Sequence, residues 1–255
     1  MIFKDYIANF FYITGLNRVI NFFRDFGPNI LMYHAVDTVG DRFTVNKDEF
    51  QKQIFFLLNN SYNFVTLDEI YLHIIGAKKI IQKAVHISFD DGYSSIFKNA
   101  IPILWEYTLP FSIALIVENI GQDNYISLDQ IREISHNGAV DFVSHTLNHN
   151  SLLTLSLDEA SIEIIESKSI LEDILKLRVD FFCYPGGYYN ENYILLCKEA
   201  GYKGALSTYQ YDSNRVGTDP FIMPRIWMTK DMTLAKLNNF LTGCYNWIGL
   251  LGKKI

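Results

Sequence analysis

What this chain holds little of already narrows what it does. Cysteine occurs three times in 255 residues, as Cys183, Cys197 and Cys244, with no CxxC spacing. Neither a disulfide framework nor a zinc–thiolate site is expected, and the three read as small buried hydrophobes suited to a reducing compartment. Proline occurs six times and never gathers with glycine and serine into a linker. Basic residues number 22 against 28 acids, a net charge of −6 without a basic stripe, so nucleic acid is set aside as a partner. No uninterrupted apolar run reaches the roughly 18–20 residues of a transmembrane helix.

What is present is one large core: 49% of the residues are hydrophobic and 15% aromatic, ample for a single α/β domain of barrel size. Short β-branched or aromatic runs are followed by a polar turn and then by a segment of helical period, the pattern of βα units. Strands are predicted at Asn29–Tyr33, Asn63–Thr66, Ala84–Phe89, Phe111–Val117, Val140–Ser144, Asp180–Tyr184, Lys203–Ser207 and Phe221–Trp227. Thr66 with Glu69, Ser127 with Gln130 and Ser156 with Glu159 have the spacing of capping boxes at helix starts. Gly76, Gly138 and Gly201 stand where left-handed C′ residues end helices. Seven or eight such units close most simply into a barrel, with a doubly wound open sheet as the competing layout.

In a parallel β/α barrel the functional groups collect at the carboxyl ends of the strands. Those ends deliver His34, the pair Asp90 and Asp91, His145, and the run Tyr184, Pro185, Gly186, Gly187. His145 and His149, four apart, meet at one point if the backbone between them makes about one helical turn. Two imidazoles and a carboxylate with an open position suit zinc or another late first-row divalent ion. Adjacent aspartates then divide the work, one holding the ion and the other taking a proton from water, while the cation offsets their repulsion. His73 and His136 fall within helices and His86 near the start of its strand, so all three stay outside the site.

AVHISFDDG, SHTLNH and FCYPGG, in that order, resemble the three leading motifs of the polysaccharide deacetylases, the NodB-homology or carbohydrate esterase 4 group. The resemblance implies a distorted (β/α)7-8 barrel, a divalent metal, most simply Zn2+ with Co2+ or Ni2+ as alternatives, and hydrolysis of an N-acetyl group on an amino sugar. It implies Asp90 as general base, Asp91, His145 and His149 as metal ligands, and a Gly186 backbone N–H for the oxyanion. The arginine that many members carry ahead of the third motif's proline is absent, and no late Leu-x-x-His segment supplies an acid. LMYHAV near the start and MPRIW near the end are instead similar to the poly-N-acetylglucosamine deacetylase branch. There His34 is the expected acid, Arg225 the residue orienting Asp90, and Trp227, with Tyr184 and Pro185, the substrate contacts.

The expected partner is an N-acetylated glycan or a lipid-linked amino sugar. A non-catalytic glycan-binding barrel, or an amidohydrolase acting on a formyl or imide group, are the alternatives. Residues 27–230 are read as the barrel domain, 1–26 as an amphipathic helical segment, and 231–255 as a C-terminal helix with an apolar tail. Ile2, Phe3, Tyr6, Ile7 and Phe10 recur at helical spacing without a small-residue cleavage site, a poor signal peptide. Trp247, Leu250 and Leu251 stand beside Lys253 and Lys254. Both ends suit either packing on the domain or peripheral attachment to a membrane, and the expected location is the cytoplasm or the inner face of a membrane.

Overall fold

Alternation along the strands decides which side chains meet inside the molecule. The computed structural model describes residues 3–17, 27–80 and 83–246. After α1 (Phe3–Thr14) come β1 (Asn29–Tyr33), α2 (Lys47–Asn59), β2 (Asn63–Phe64), α3 (Leu67–Ile74) and β3 (Ala84–Phe89). Then follow α4 (Ser94–Asn99), α5 (Ile101–Glu106), β4 (Phe111–Leu115), α6 (Leu128–Asn137), β5 (Val140–Ser144) and α7 (Leu157–Leu175). The chain continues with β6 (Phe181–Cys183), α8 (Glu191–Glu199), β7 (Gly204–Leu206), β8 (Arg225–Trp227) and α9 (Leu234–Leu241).

The strands pair in parallel in the order β7-β6-β5-β4-β3-β1-β8, with β2 added on β3. The outer strands approach each other through Met223, just ahead of β8, which bridges to Leu206 of β7. The sheet therefore curls into a distorted (β/α) barrel and not into an open doubly wound sheet.

Outward residues such as Leu31, Ile87, Ile113 and Phe182 join the helices in the larger core. Inward residues such as Ile30, Ala84 and Phe181 pack instead with Leu67, Ile70 and Ile74 of α3. These inward partners lie near the strand starts, so α3 closes the foot of the barrel and leaves chemistry to the other end. All three capping boxes form as the spacing predicts.

Gly76 and Gly201 end their helices in the left-handed conformation, with φ of 76° and 78°. Gly138 does not: its φ is −159°, and a Cβ there would stand 2.9 Å from Trp105 Nε1, so close ring approach is what requires glycine. The predicted strand at Phe221–Trp227 is also shortened. Pro220 opens a 3₁₀ turn through Ile222 and Pro224 cannot donate to a ladder, so pairing with β1 starts at Arg225.

His86 faces inward on β3, fully buried, with Nδ1 2.7 Å from the Val65 carbonyl and Nε2 2.9 Å from Ser112 Oγ. Burial pushes its pKa from 6.5 down to about 4. The unfolded chain then binds a proton that the native one refuses between those values, so stability falls as pH drops through that window. Urea unfolding at pH 7 and pH 4.5 is expected to show a loss of up to about 3 kcal/mol from this group, reduced in His86→Gln.

Candidate active site

The end of β3 sets the geometry. Asp90 follows Ser88 on the inward face, and its N–H donates to the Tyr33 carbonyl at 2.8 Å, continuing the pairing of β1 with β3. From β8, Arg225 reaches across the barrel and holds it with a two-pronged ion pair, Nη1 to Oδ1 at 2.6 Å and Nη2 to Oδ2 at 2.8 Å. The remaining guanidinium donors are occupied too: Nε donates to the Ser207 carbonyl at 2.9 Å, Nη1 to Ser88 Oγ at 3.1 Å and Nη2 to Cys183 Sγ at 3.2 Å. Burial pushes the Asp90 carboxyl up, but the Arg225 charge and hydrogen bonds outweigh it and hold the carboxyl well below the usual range. Asp90 is thus ionised, fixed in orientation and short of further partners only on the side away from Arg225.

Between Asp90 and its neighbour the backbone changes hand. Asp91 has φ of 69° and Gly92 of 76°, and this left-handed pair swings the second carboxylate away from Arg225 towards the histidines. His145, inward at the end of β5, and His149 place their Nε2 atoms 3.4 and 3.6 Å from Asp91 Oδ1. Contrary to the expected helical turn, a loop joins them, with Thr146 at φ 69° and His149 at φ 63°. Left-handed backbone at non-glycine residues costs of order 1 kcal/mol or more each, and the surroundings hold it in place. Buried Glu163 of α7 accepts from Leu147 N–H at 2.8 Å, and Thr146 Oγ1 accepts from His149 N–H at 3.0 Å.

These residues fit a divalent cation. His145 Nδ1 lies 2.8 Å from the Cys183 carbonyl, which can only accept, so Nδ1 carries the proton and Nε2 offers its lone pair inward. That lone pair faces Asp91 Oδ1, a buried oxygen without a hydrogen-bond partner. Acceptor faces acceptor, and a positive charge resolves the conflict. Ligands about 2.1 Å from a tetrahedral ion stand about 3.4 Å apart, close to the two separations here. In the ion's absence a proton answers the same demand. Burial works against a charged His145, yet Cys183 and Asp91 outweigh it and hold the imidazole well above the usual histidine range. At His149 burial and the neighbouring His145 lower the pKa, which favours the neutral ligand form.

Facing the cluster is an open cleft of about 520 Å³, lined among others by His34, Asp91, Phe43, Tyr93 and Asn124. His34 lies flat on Phe43, with ring centroids 4.8 Å apart, and its Nδ1 is buried without a partner. Gly186 adopts φ of 63° in the turn after β6, and a Cβ there would meet the Tyr188 ring at 2.9 Å.

Three expected substrate contacts lie elsewhere. Tyr184 is fully buried in the outer core against Phe182 and Tyr189, because it shares the outward face of β6 with Phe182. Pro185 is buried in the turn. Trp227 does point inward, but its ring is edge-on to Phe43 at 6.1 Å and beneath Arg42, lining a separate cavity of about 70 Å³ with Arg42 and Lys4.

Conversely, Cys183, read from sequence as an inert hydrophobe, sits at the centre. Its thiol lies 3.6 Å from Asp90 Oδ2 and its carbonyl anchors His145. Strand alternation carried the signal, since Cys183 stands two residues after the inward Phe181.

The model of the family described as polysaccharide deacetylase matches residues 77–205, a span holding Asp90, Asp91, His145, His149 and Gly186. The chain belongs to the polysaccharide deacetylase family. His34 and Arg225 lie outside the matched span, and the barrel closure brings them to it. The Bacillus subtilis protein YxkH, which carries the family's name, is 31% identical over 179 residues, 70% of this chain and 63% of that protein. The chain thus spans under two thirds of that relative's length. A Staphylococcus aureus poly-β-1,6-N-acetyl-D-glucosamine N-deacetylase is 27% identical over 220 residues, covering 81% of this chain and 75% of the relative. Among solved structures, the Streptococcus pyogenes deacetylase PplD in complex with acetate superposes with a TM-score of 0.78 at 25% identity, covering 84% of this chain and 97% of that one. IcaB from Ammonifex degensii shares the fold with a TM-score of 0.76 at 23% identity, covering 86% and 97%.

Proposed function

We propose that this polysaccharide deacetylase family member is a hydrolase that removes the N-acetyl group from an amino sugar, polymeric or lipid-linked, releasing acetate and a free amine. The observation that carries the reading is the convergence of Asp91, His145 and His149 beside a second carboxylate, Asp90, that the protein holds separately. A divalent ion on the three ligands, with zinc as the first choice and cobalt or nickel as substitutes, would polarise the acetyl carbonyl and acidify water. Asp90, fixed by Arg225, takes the proton from that water. The Gly186 N–H donates to the oxygen on which negative charge develops, and His34 at the cleft wall gives a proton to the departing nitrogen. The Staphylococcus aureus relative, named for deacetylating poly-N-acetylglucosamine, supports the choice of bond.

Metal-stripped protein titrated with cobalt is expected to bind one ion with the absorption of a low-symmetry site. Loaded with zinc, it is expected to release acetate from N-acetylglucosamine oligomers or lipid-linked amino sugars. His149→Ala is expected to lose both, its ion affinity falling more than about 100-fold, since even residues that merely orient ligands are worth 10- to 100-fold. Ion uptake with no acyl release from any amide substrate would instead identify a glycan-binding barrel. Release of formate, or opening of a cyclic imide, would move the protein to a related amidohydrolase.

A further inference from the structure

Phe43 is a large apolar side chain that packs into neither of the two hydrophobic cores. It is half-buried and lines the open cleft instead. An aromatic ring left there forgoes much of the stabilisation that full burial would give, so what the ring touches is the better guide to its use.

It touches His34. The two rings lie stacked, with centroids 4.8 Å apart and planes 29° from parallel. On His34 itself, Nδ1 is buried and meets no hydrogen-bond partner among the described residues. His145 differs in this respect, because the Cys183 carbonyl accepts from its Nδ1 and fixes ring and tautomer at once. No acceptor does so for His34, and the face of Phe43 is what the imidazole rests on. Since His34 lines the cleft with Nδ1 buried, Nε2 is the nitrogen on the cleft side.

Phe43 is held in turn from several directions. Its N–H donates to Asp41 Oδ1 at 2.8 Å, and Thr44 Oγ1 donates to the same oxygen at 3.2 Å. Lys230 N–H donates to the Arg42 carbonyl at 3.1 Å and Val45 N–H to the Ala35 carbonyl at 3.0 Å, tying the loop to the chain after β8 and to the exit of β1. Trp227 stands edge-on to the Phe43 ring at 6.1 Å, with its own N–H bonded to the Thr208 carbonyl. None of these contacts involves 18–26 or 247–255, which, with Trp247, Leu250 and Leu251 of the apolar tail, lie outside the described residues.

We propose that Phe43 is the positioning residue for His34, its stacked ring fixing the acid as a hydrogen-bond acceptor on Nδ1 would. This role rests on the hydrolytic reading, in which His34 serves the departing nitrogen. There the C–N bond breaks with its electron pair left on nitrogen, and that pair takes the proton from Nε2. The transfer needs Nε2 within about 2.6–3.2 Å of the nitrogen, which an imidazole free to turn does not maintain. The ring contacts of Phe43 are His34, Trp227 and Arg42, not the ion ligands, so its effect is confined to the step that His34 serves.

That confinement is measurable. An amide expels a strongly basic amine and needs the acid, whereas 4-nitrophenyl acetate expels a weakly basic phenolate that leaves without a proton. In zinc-loaded protein, Phe43→Leu is expected to lower kcat on N-acetylglucosamine oligomers or a lipid-linked N-acetyl amino sugar about 10- to 100-fold, as small misplacements of a reacting group do. KM is expected to change less than about twofold. With the rate of metal-stripped protein subtracted, kcat on 4-nitrophenyl acetate is expected to stay within about twofold of wild type. Phe43→Tyr, which keeps the ring, is expected to restore the amide rate, and Phe43→Leu added to His34→Gln is expected to cost little more. The urea midpoint is expected to stay in place. The stack also has a signature that needs no turnover: the His34 ring protons, shielded by Phe43 in wild type, are expected to move downfield in the NMR spectrum of Phe43→Leu. Equal losses on amide and ester, no loss on either, or His34 resonances that stay where they are would overturn the proposal while leaving hydrolysis intact. A wild type that releases acetate from neither kind of substrate would overturn the hydrolytic reading, and the role of Phe43 with it.

Discussion

Asp90→Asn is expected to keep its divalent ion while turnover falls about 10²- to 10⁴-fold, the usual cost of removing a general base. The asymmetry follows from the geometry. Asp91, His145 and His149 converge on a point of their own, and the charge at position 90 acts on them only as a neighbouring charge, not as a ligand. An amide at 90 still presents one oxygen to Arg225, and Ser88 and Ser207 go on accepting from the guanidinium, so the fold is expected to survive with a lowered urea midpoint. Cobalt absorption, the midpoint and acetate release measured on the same preparation separate the three effects. A variant that turns over like wild type would remove Asp90 from the chemistry.

The second large effect concerns Arg225. It is almost fully buried, like its partner Asp90, and removing one member of a buried ion pair typically costs about 3–5 kcal/mol because the other charge is stranded. Arg225→Met is therefore expected to lower the urea-derived stability by that order, and Arg225→Lys to recover part of it, as a point charge replaces a fork that made two parallel bonds. Removing both charges in Asp90→Asn/Arg225→Met is expected to cost less than the sum of the single changes.

A pH profile distinguishes positioning from mere scaffolding. With Arg225 present, the Asp90 pKa lies well below the usual range, so Asp90 stays a base far into acid. Without Arg225, burial is opposed only by the weaker pull of His145 and His34, so the carboxyl rises and the acid limb of kcat/KM is expected to move to higher pH. An unchanged limb would show that Arg225 supports the barrel but does not govern the base.

The parts of the fold legible in the sequence were those with redundant signals. β1, β3 and β5 have the predicted limits because unbroken apolar runs end at polar turns, and the capping boxes start α3, α6 and α7 where hydroxyl and acid or amide stand three apart. β2, β4 and the last three strands were overestimated, since residue types compatible with a strand continue past the residues that pair. In the site, residue types and spacing were enough to expect Asp91, His145 and His149 to converge beside Asp90, and they do. Tyr184 was misassigned because its place in a motif was weighed above its parity along β6, which sends it outward beside Phe182. Cys183 was missed for the same reason. The left-handed residues Asp91, Thr146 and His149 were not legible at all, because none is glycine and nothing local announces a positive φ.

The change of hand at Asp91 has a practical outcome. It parts two chemically identical neighbours so that one is gripped by Arg225 and the other faces two imidazoles, where the proposed ion would sit. Chelation therefore dismantles only half of the apparatus, since Asp90 remains clasped by Arg225 whether or not an ion is present. On the proposed reading, protein stripped of its ion and reloaded is expected to regain turnover without any rearrangement around Asp90.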